Sequence, residues 1–253
     1  MGQPQLAPAR ARTLEQNSRA QSSHSAPEIP PGPLGSGLEV AMRLALAVAT
    51  LCVLTAAPAR ATVLETEPRT FPVAAHQRVR LEFPVGQLKV VSTDDARVRF
   101  ELRVRCSGRS DERCAEIANR LVLDSDDEGT TLHLKLHKFP QWSHHGMTVM
   151  GELRVPRSLA VKIEMGVGEL DIDGIEGDLD VELGVGEAAI RAPKSHAGHV
   201  SVETGIGDAN IHGGGSDTES HGFIGSRATW DAGSGRSAVR LHVGVGEGRV
   251  RLE

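Results

Sequence analysis

The sequence predicts an all-β protein. Its expected core is a β-solenoid-like stack of short strands cornered by Gly-x-Gly, preceded by a β-sheet portion with one short helix; a β-sandwich is the alternative. Three observations carry this reading. A phrase of Gly, aliphatic, Gly, acid occurs four times, at Gly166-Val167-Gly168-Glu169, Gly184-Val185-Gly186-Glu187, Gly205-Ile206-Gly207-Asp208 and Gly244-Val245-Gly246-Glu247. Apolar residues alternate before each copy, as in Val161, Ile163, Met165, and resume in the opposite phase after it, as in Leu170, Ile172. The chain has 28 Gly, 3% aromatics and no Tyr, which suits tight turns between aliphatic strands.

Side chains on a strand alternate with a period of two, so a slip of one residue moves the following apolar set to the other face unless the chain bends. Glycine permits such a bend without a Cβ clash. Gly166, Gly168, Gly184, Gly186, Gly205, Gly207, Gly244 and Gly246 are therefore read as structural corners. The aliphatic between each pair is expected to fill the core, and the acid to mark the rim. A short period carried by a strand-corner-strand unit points to rungs that complete one another's core.

The N-terminus holds two different stretches. Residues 1–41 are rich in Pro, Gln, Ser and Ala with no apolar period, and read as disordered or as a start-site overcall. Residues 42–61 read as a secretory signal: Arg43, an apolar run from Leu44 to Ala56, and Ala59-Arg60-Ala61 as the cleavage site. The run is too short for a stable span, so no transmembrane anchor is expected after cleavage. Cys52 is preceded by Leu51, not by the small residue that lipidation requires. The mature chain would start at Thr62, exported to the periplasm or the cell surface. Its two cysteines, Cys106 and Cys114, then read as a local disulfide in an oxidising compartment.

The mature chain divides into an N-terminal β portion, residues 62–160, and a Gly-x-Gly repeat portion, residues 161–253. In the first, Leu81, Phe83, Val85 give way to Leu88, Val90 around Gly86-Gln87, a worn early copy of the phrase. Val98, Phe100, Leu102, Val104 and Cys106 alternate with Arg97, Arg99, Glu101, Arg103 and Arg105, an antiparallel strand with a solvated face. Residues 110–121 read as a helix, capped by Ser110, with Asp111 and Glu112 at its positive end and Cys114, Ile117, Ala118, Leu121 at helical spacing. Asp124 to Gly129 reads as an acidic solvated turn; it lacks the ligand spacing of a calcium loop. Leu132, Leu134 and Leu136 form a strand with His133 and His137 on its polar side, followed by Trp142, His144 and His145. His137, His144 and His145 are the nearest thing to metal ligands, but no Cys or Glu sits at ligand spacing, so neither a metal nor another cofactor is expected.

In the repeat portion, residues 212–227 read as a Gly-, Ser- and His-rich loop, and Gly233-Ser234-Gly235-Arg236 as a degenerate copy. A strand ending in Arg154-Val155-Pro156-Arg157, followed by Val161-Lys162-Ile163-Glu164-Met165-Gly166-Val167-Gly168-Glu169-Leu170-Asp171-Ile172 and its echoes, resembles the DUF4097 adhesin-like family of bacterial envelope proteins. The resemblance covers about residues 75–253. It implies a β-repeat surface module with no catalytic residues to carry over. The doubled Gly-x-Gly and the cysteine pair depart from the family pattern.

Charge excludes little: 28 Lys plus Arg against 33 Asp plus Glu, formally −5, gives no electrostatic case for nucleic acid. No nucleophile elbow, Walker loop or metalloprotease helix is present. The leading expectation is a non-enzymatic exported module that binds or scaffolds an envelope protein or polysaccharide. A stacked row of Glu169, Glu187, Asp208 and Glu247 would bind calcium by the known repeat only with Asp two residues after the second glycine, where Leu170, Ala188, Ala209 and Gly248 stand. A carbohydrate-active β-helix enzyme using Asp171, Asp173 and Asp180 is one alternative. Self-assembly through edge strands, with Val250 to Leu252 as the pairing edge, is another.

Overall fold

The computed structural model describes residues 62–73, 78–107, 111–139, 146–213, 215, 218–222, 224–231 and 235–253. The leader and signal readings, and those made on Ser110, Trp142, His144, His145, Gly233 and Ser234, lie outside the described residues.

Among the described residues there are thirteen strands and one helix, in chain order: β1 (Thr62–Glu65), β2 (Arg69–Pro72), β3 (Arg78–Thr93), β4 (Arg97–Cys106), α1 (Asp111–Ala118), β5 (Val122–Glu128), β6 (Thr131–His137), β7 (Met147–Pro156), β8 (Ala160–Asp173), β9 (Leu179–Ala192), β10 (Ala197–His212), β11 (Thr218–Gly222), β12 (Ser226–Asp231) and β13 (Ser237–Leu252). The fold is all-β and the sheet does not close on itself.

Its centre is a parallel stack in the order β3, β8, β9, β13, β10. Each of these strands has two arms with opposite burial phase. In β8, Val161, Ile163 and Met165 are buried before the phrase, and Leu170 and Ile172 after it. The flanking strands follow the break. The first arm of β3 pairs with β6 and its second arm with β7; the first arm of β10 pairs with β12 and its second with β11. The first arms thus make one layer and the second arms another, with a single hydrophobic cluster between them that includes Leu81 and Phe83 from one side and Leu88 and Phe100 from the other.

The copies do not stack in chain order. β13 runs between β9 and β10, so the fourth phrase, at Gly244, sits between the second and the third. Val250 to Leu252 is consequently not an edge, which corrects the pairing edge expected there: Val250 faces Ile190 on one side and Ile211 on the other. β3 supplies a fifth rung, with Gly86 in register with Gly168 and Gln87 with Glu169.

Four local readings also change. The acidic run is not a turn: Asp124 to Glu128 belongs to β5, which pairs antiparallel with β6 through a turn at Gly129 and Thr130. Asp disfavours strands, but an edge position with both faces wet imposes little penalty, and backbone pairing decides. Residues 212–227 are not all loop, since β11 and the start of β12 lie there and pair with β10. Gly235-Arg236 is not a corner; it leads into β13, and the Arg236 N–H donates to the His196 carbonyl at 3.0 Å. The helix is shorter than expected, ending at Ala118. Cys114 and Ala118 of α1 pack on Val104 and Cys106 of β4, where the Cys106–Cys114 disulfide ties the helix down with a sequence separation of 8.

Candidate functional site

The corner of the stack gathers the repeated phrase into rows that run across the strands, about 4.8 Å apart from rung to rung. Gly86, Gly168, Gly186, Gly246 and Gly207 form one row, in register along the whole stack. All five have φ between +128° and +145°. The approach is as tight as the conformation is unusual: a Cβ on Gly186 would lie 1.8 Å from the Gly168 carbonyl oxygen, and one on Gly168 1.8 Å from that of Gly86. A second row, Gly166, Gly184, Gly244 and Gly205, continues the backbone-only surface from Pro84; a Cβ on Gly184 would meet the Gly166 oxygen at 2.5 Å.

Between the two glycine rows stand Val85, Val167, Val185, Val245 and Ile206. These aliphatics do not fill the core as expected: Val185 is 46% exposed, Val245 43% and Ile206 44%. The reason lies in the bend. The phase change is completed by turning the chain outward over the phrase, so core residues resume only at Leu170, Ala188 and their equivalents. Ile224 extends the ridge at 76% exposure; the Gly225 N–H donates to the Gly205 carbonyl at 2.8 Å, which sets Ile224 beside Ile206.

The ridge is bordered by polar rows. Along the second arms lie Gln87, Glu169, Glu187, Glu247 and Asp208. The Gln87 amide donates to Glu169 at 2.8 Å, and Arg249 donates to Glu247. Along the first arms lie Glu82, Glu164, Glu182, His242 and Glu203. Between this row and the ridge runs a groove of about 440 Å³ floored by Gly166, Gly184 and Gly244.

Cations on the same and the next row neutralise the first-arm acids. Arg80 reaches Glu164 at 2.9 Å, and Lys162 reaches Glu164 at 3.3 Å and Glu182 at 3.0 Å. Lys135 and His133 meet Glu82 at 2.6 and 2.9 Å. The Lys135 hydrogen bond outweighs the opposing effect of burial and, with His133, holds the Glu82 carboxyl below the usual carboxylate range. Burial by itself raises the Glu164 carboxyl, but hydrogen bonds from Arg80 and Lys162 prevail, and it too lies below that range. The groove wall therefore carries ion pairs instead of unbalanced charge.

The other sequence candidates do not converge. Among the described residues no group of three or more His, Cys, Asp or Glu is placed to hold a metal ion. His137 of the metal candidates meets Asp124 at 2.7 Å. Asp171 and Asp173 lie on the second arm of β8, whereas Asp180 lies on the first arm of β9, opposite Lys162. A second hollow of about 250 Å³ is lined by Lys89, Glu101, Arg103, Glu152, Glu169 and Asp171. The exposed ridge escaped the sequence reading, though one signal was present: a phase slip completed within three residues leaves no inward position for the middle one.

No protein-family model matches the chain, and no curated protein does. Solved structures do resemble it. One is a candidate cell adhesion protein from Clostridium sporogenes, 17% identical over 76% of this chain and 100% of that one, with a TM-score of 0.47. Others are a candidate adhesin from Bacteroides fragilis, 11% identical over 76% and 97% with a TM-score of 0.24, and a candidate lipid binding protein from Parabacteroides distasonis, 12% identical over 74% and 96% with a TM-score of 0.22. With TM-scores below 0.5 these likenesses carry no argument about function. No described helix is long and apolar enough to cross a membrane.

Proposed function

We propose that the protein is an exported, non-enzymatic, adhesin-like module of the bacterial cell envelope, of the DUF4097 kind, that binds or scaffolds an envelope protein or polysaccharide through the corner of its strand stack. The observation that supports this most is the ridge: Val185, Val245, Ile206 and Ile224 stand exposed in one row beside a glycine-floored groove. Aliphatics at the corner do nothing for the core, and a row of exposed apolar side chains next to polar rims is the form that contact surfaces take. Export rests on the signal-like stretch at residues 42–61 and on the Cys106–Cys114 disulfide.

The test is co-sedimentation of the purified protein with envelope fractions, compared with a Val185→Ser/Ile206→Ser/Val245→Ser variant. The variant should lose binding at least tenfold while its urea midpoint stays near that of the native protein, since the replaced side chains are nearly half exposed. Equal binding by a folded variant would remove the corner as the contact surface.

A further inference from the structure

The two ends of the first-arm layer are built differently, and the difference points to a partner. At one end lies β5, whose Asp124, Asp126, Asp127 and Glu128 are all exposed. A strand carrying four acids repels a second copy of itself, one of the ways in which edges are protected from pairing. At the other end lies β12, Ser226-Arg227-Ala228-Thr229-Trp230-Asp231, which pairs antiparallel with β10 and, among the described residues, has no strand on its other side. It contains no proline. Its burial alternates strictly, with Ser226, Ala228 and Trp230 inward and Arg227, Thr229 and Asp231 outward.

The outward residues are self-complementary. When two antiparallel β12 strands meet about a two-fold axis, the residue at the axis faces itself and the others pair symmetrically around it. An axis at Arg227 or at Asp231 sets like charges against each other, and an axis at Ala228 leaves Arg227 facing Thr229. An axis at Thr229 sets Arg227 against Asp231 of the second copy, and Asp231 against its Arg227. The same register puts threonine against threonine, a pairing that antiparallel sheets favour, and Ala228 against Trp230.

The pairing also completes a pattern within each chain. Arg227 lies 3.0 Å from Glu203, and Asp231 lies 2.6 Å from His199, across the β10–β12 ladder. In the two-fold register these become one row across the joint: Glu203, Arg227, then Asp231 and His199 of the second copy. Opposite charges alternate from Glu203 through Arg227 to Asp231 of the second copy, whose carboxylate also meets His199.

We propose that β12 is a homodimerisation edge, and that two copies of this chain join antiparallel through Arg227 to Asp231 about an axis at Thr229, continuing the first-arm layer across both. This goes beyond the corner reading and does not depend on it, because the ridge lies at the bend and the joint at the far part of the layer. Five residues per chain make a small interface, so the dimer is weak and reversible, at the low end of specific contacts.

Sedimentation velocity on the native protein, purified as its host produces it, tests the proposal over a concentration series reaching high micromolar. The native protein should show a monomer–dimer equilibrium. Arg227→Asp places Asp against Asp231 twice by symmetry and should weaken dimerisation at least tenfold. Arg227→Asp/Asp231→Arg restores opposite charges across the joint and should recover most of that loss. Thr229→Lys, at an exposed side chain, places two ammonium groups at the axis and should also leave a monomer; circular dichroism of the same samples reads folding. A native protein that stays monomeric throughout, a dimer insensitive to Arg227→Asp and Thr229→Lys, or a folded double variant that fails to re-dimerise would each overturn the proposal.

Discussion

Replacing Gly186 by alanine tests the stacked corner directly. The new Cβ would lie 1.8 Å from the Gly168 carbonyl oxygen, 2.8 Å from its carbon and 3.1 Å from its nitrogen, at a backbone φ of +142°. Ordinary carbon–oxygen contact is about 3.4 Å, so relief requires β8 and β9 to move apart by more than an ångström at the corner or Gly186 to leave its conformation. The first course breaks two or three ladder hydrogen bonds, at about 0.5–1.5 kcal/mol each. The backbone position itself is worth about 1–3 kcal/mol to a residue with a side chain. Together these give about 2–7 kcal/mol, a large part of the 5–15 kcal/mol that holds a typical domain folded. Urea denaturation followed by circular dichroism measures it, with Gly129→Ala as the comparison. Gly129 has a φ of +66° and nothing within 4 Å of its missing Cβ, so its replacement should cost only about 1 kcal/mol. A Gly186→Ala protein within about 1 kcal/mol of the native one would refute the corner geometry.

Two further perturbations have expected outcomes. The Cys106–Cys114 disulfide closes a loop with a sequence separation of 8, for which chain entropy gives about 2–3 kcal/mol; Cys106→Ser/Cys114→Ser should lower the urea midpoint accordingly and speed hydrogen exchange most in α1, and a uniform loss of protection across the stack would contradict the local role. Glu82 and Glu164 have carboxyls held below their ordinary value of 4.5, so their contribution is present above that pH and lost as pH falls through their lowered folded values. The urea midpoint should change little between pH 7 and about 5 and drop below about 4.5, with a shallower drop in Glu164→Gln; an unchanged slope in that variant would remove the ion-pair row as a cause.

Strand content, the helix, and the bend at each phrase could be read from the sequence because they depend on local periodicity and on glycine. The Leu132, Leu134, Leu136 and Val98 to Cys106 alternations became β6 and β4 with the inward faces they implied. What could not be read is what depends on partners far along the chain. Asp124 to Glu128 looks like a turn by composition and is a strand because β6 offers it a ladder. β11 carries residues of low strand propensity and forms against the second arm of β10 for the same reason. At the corner, the assumption that apolar means buried failed at Val185, Val245 and Ile206, where covalent geometry leaves no inward position and burial energy had no vote.

The order of the rungs gives the ridge its meaning. Val185 of β9 and Ile206 of β10 come from copies adjacent in the chain, yet they are not neighbours; Val245 of β13 stands between them. Until the last strand is inserted, the row is broken at its middle, and the first-arm acids Glu182 and Glu203 lack the intervening His242. β9 and β10 are joined by a short turn, and on the sides that face each other both take their neighbour only from the sixteen residues of β13. A surface built from sequential rungs would exist in any folded fragment, as it does in repeat arrays where each unit depends only on adjacent units. Here the continuous ridge and its glycine groove exist only when residues 237–252 are in place, so a partner that reads the ridge reads the completed fold.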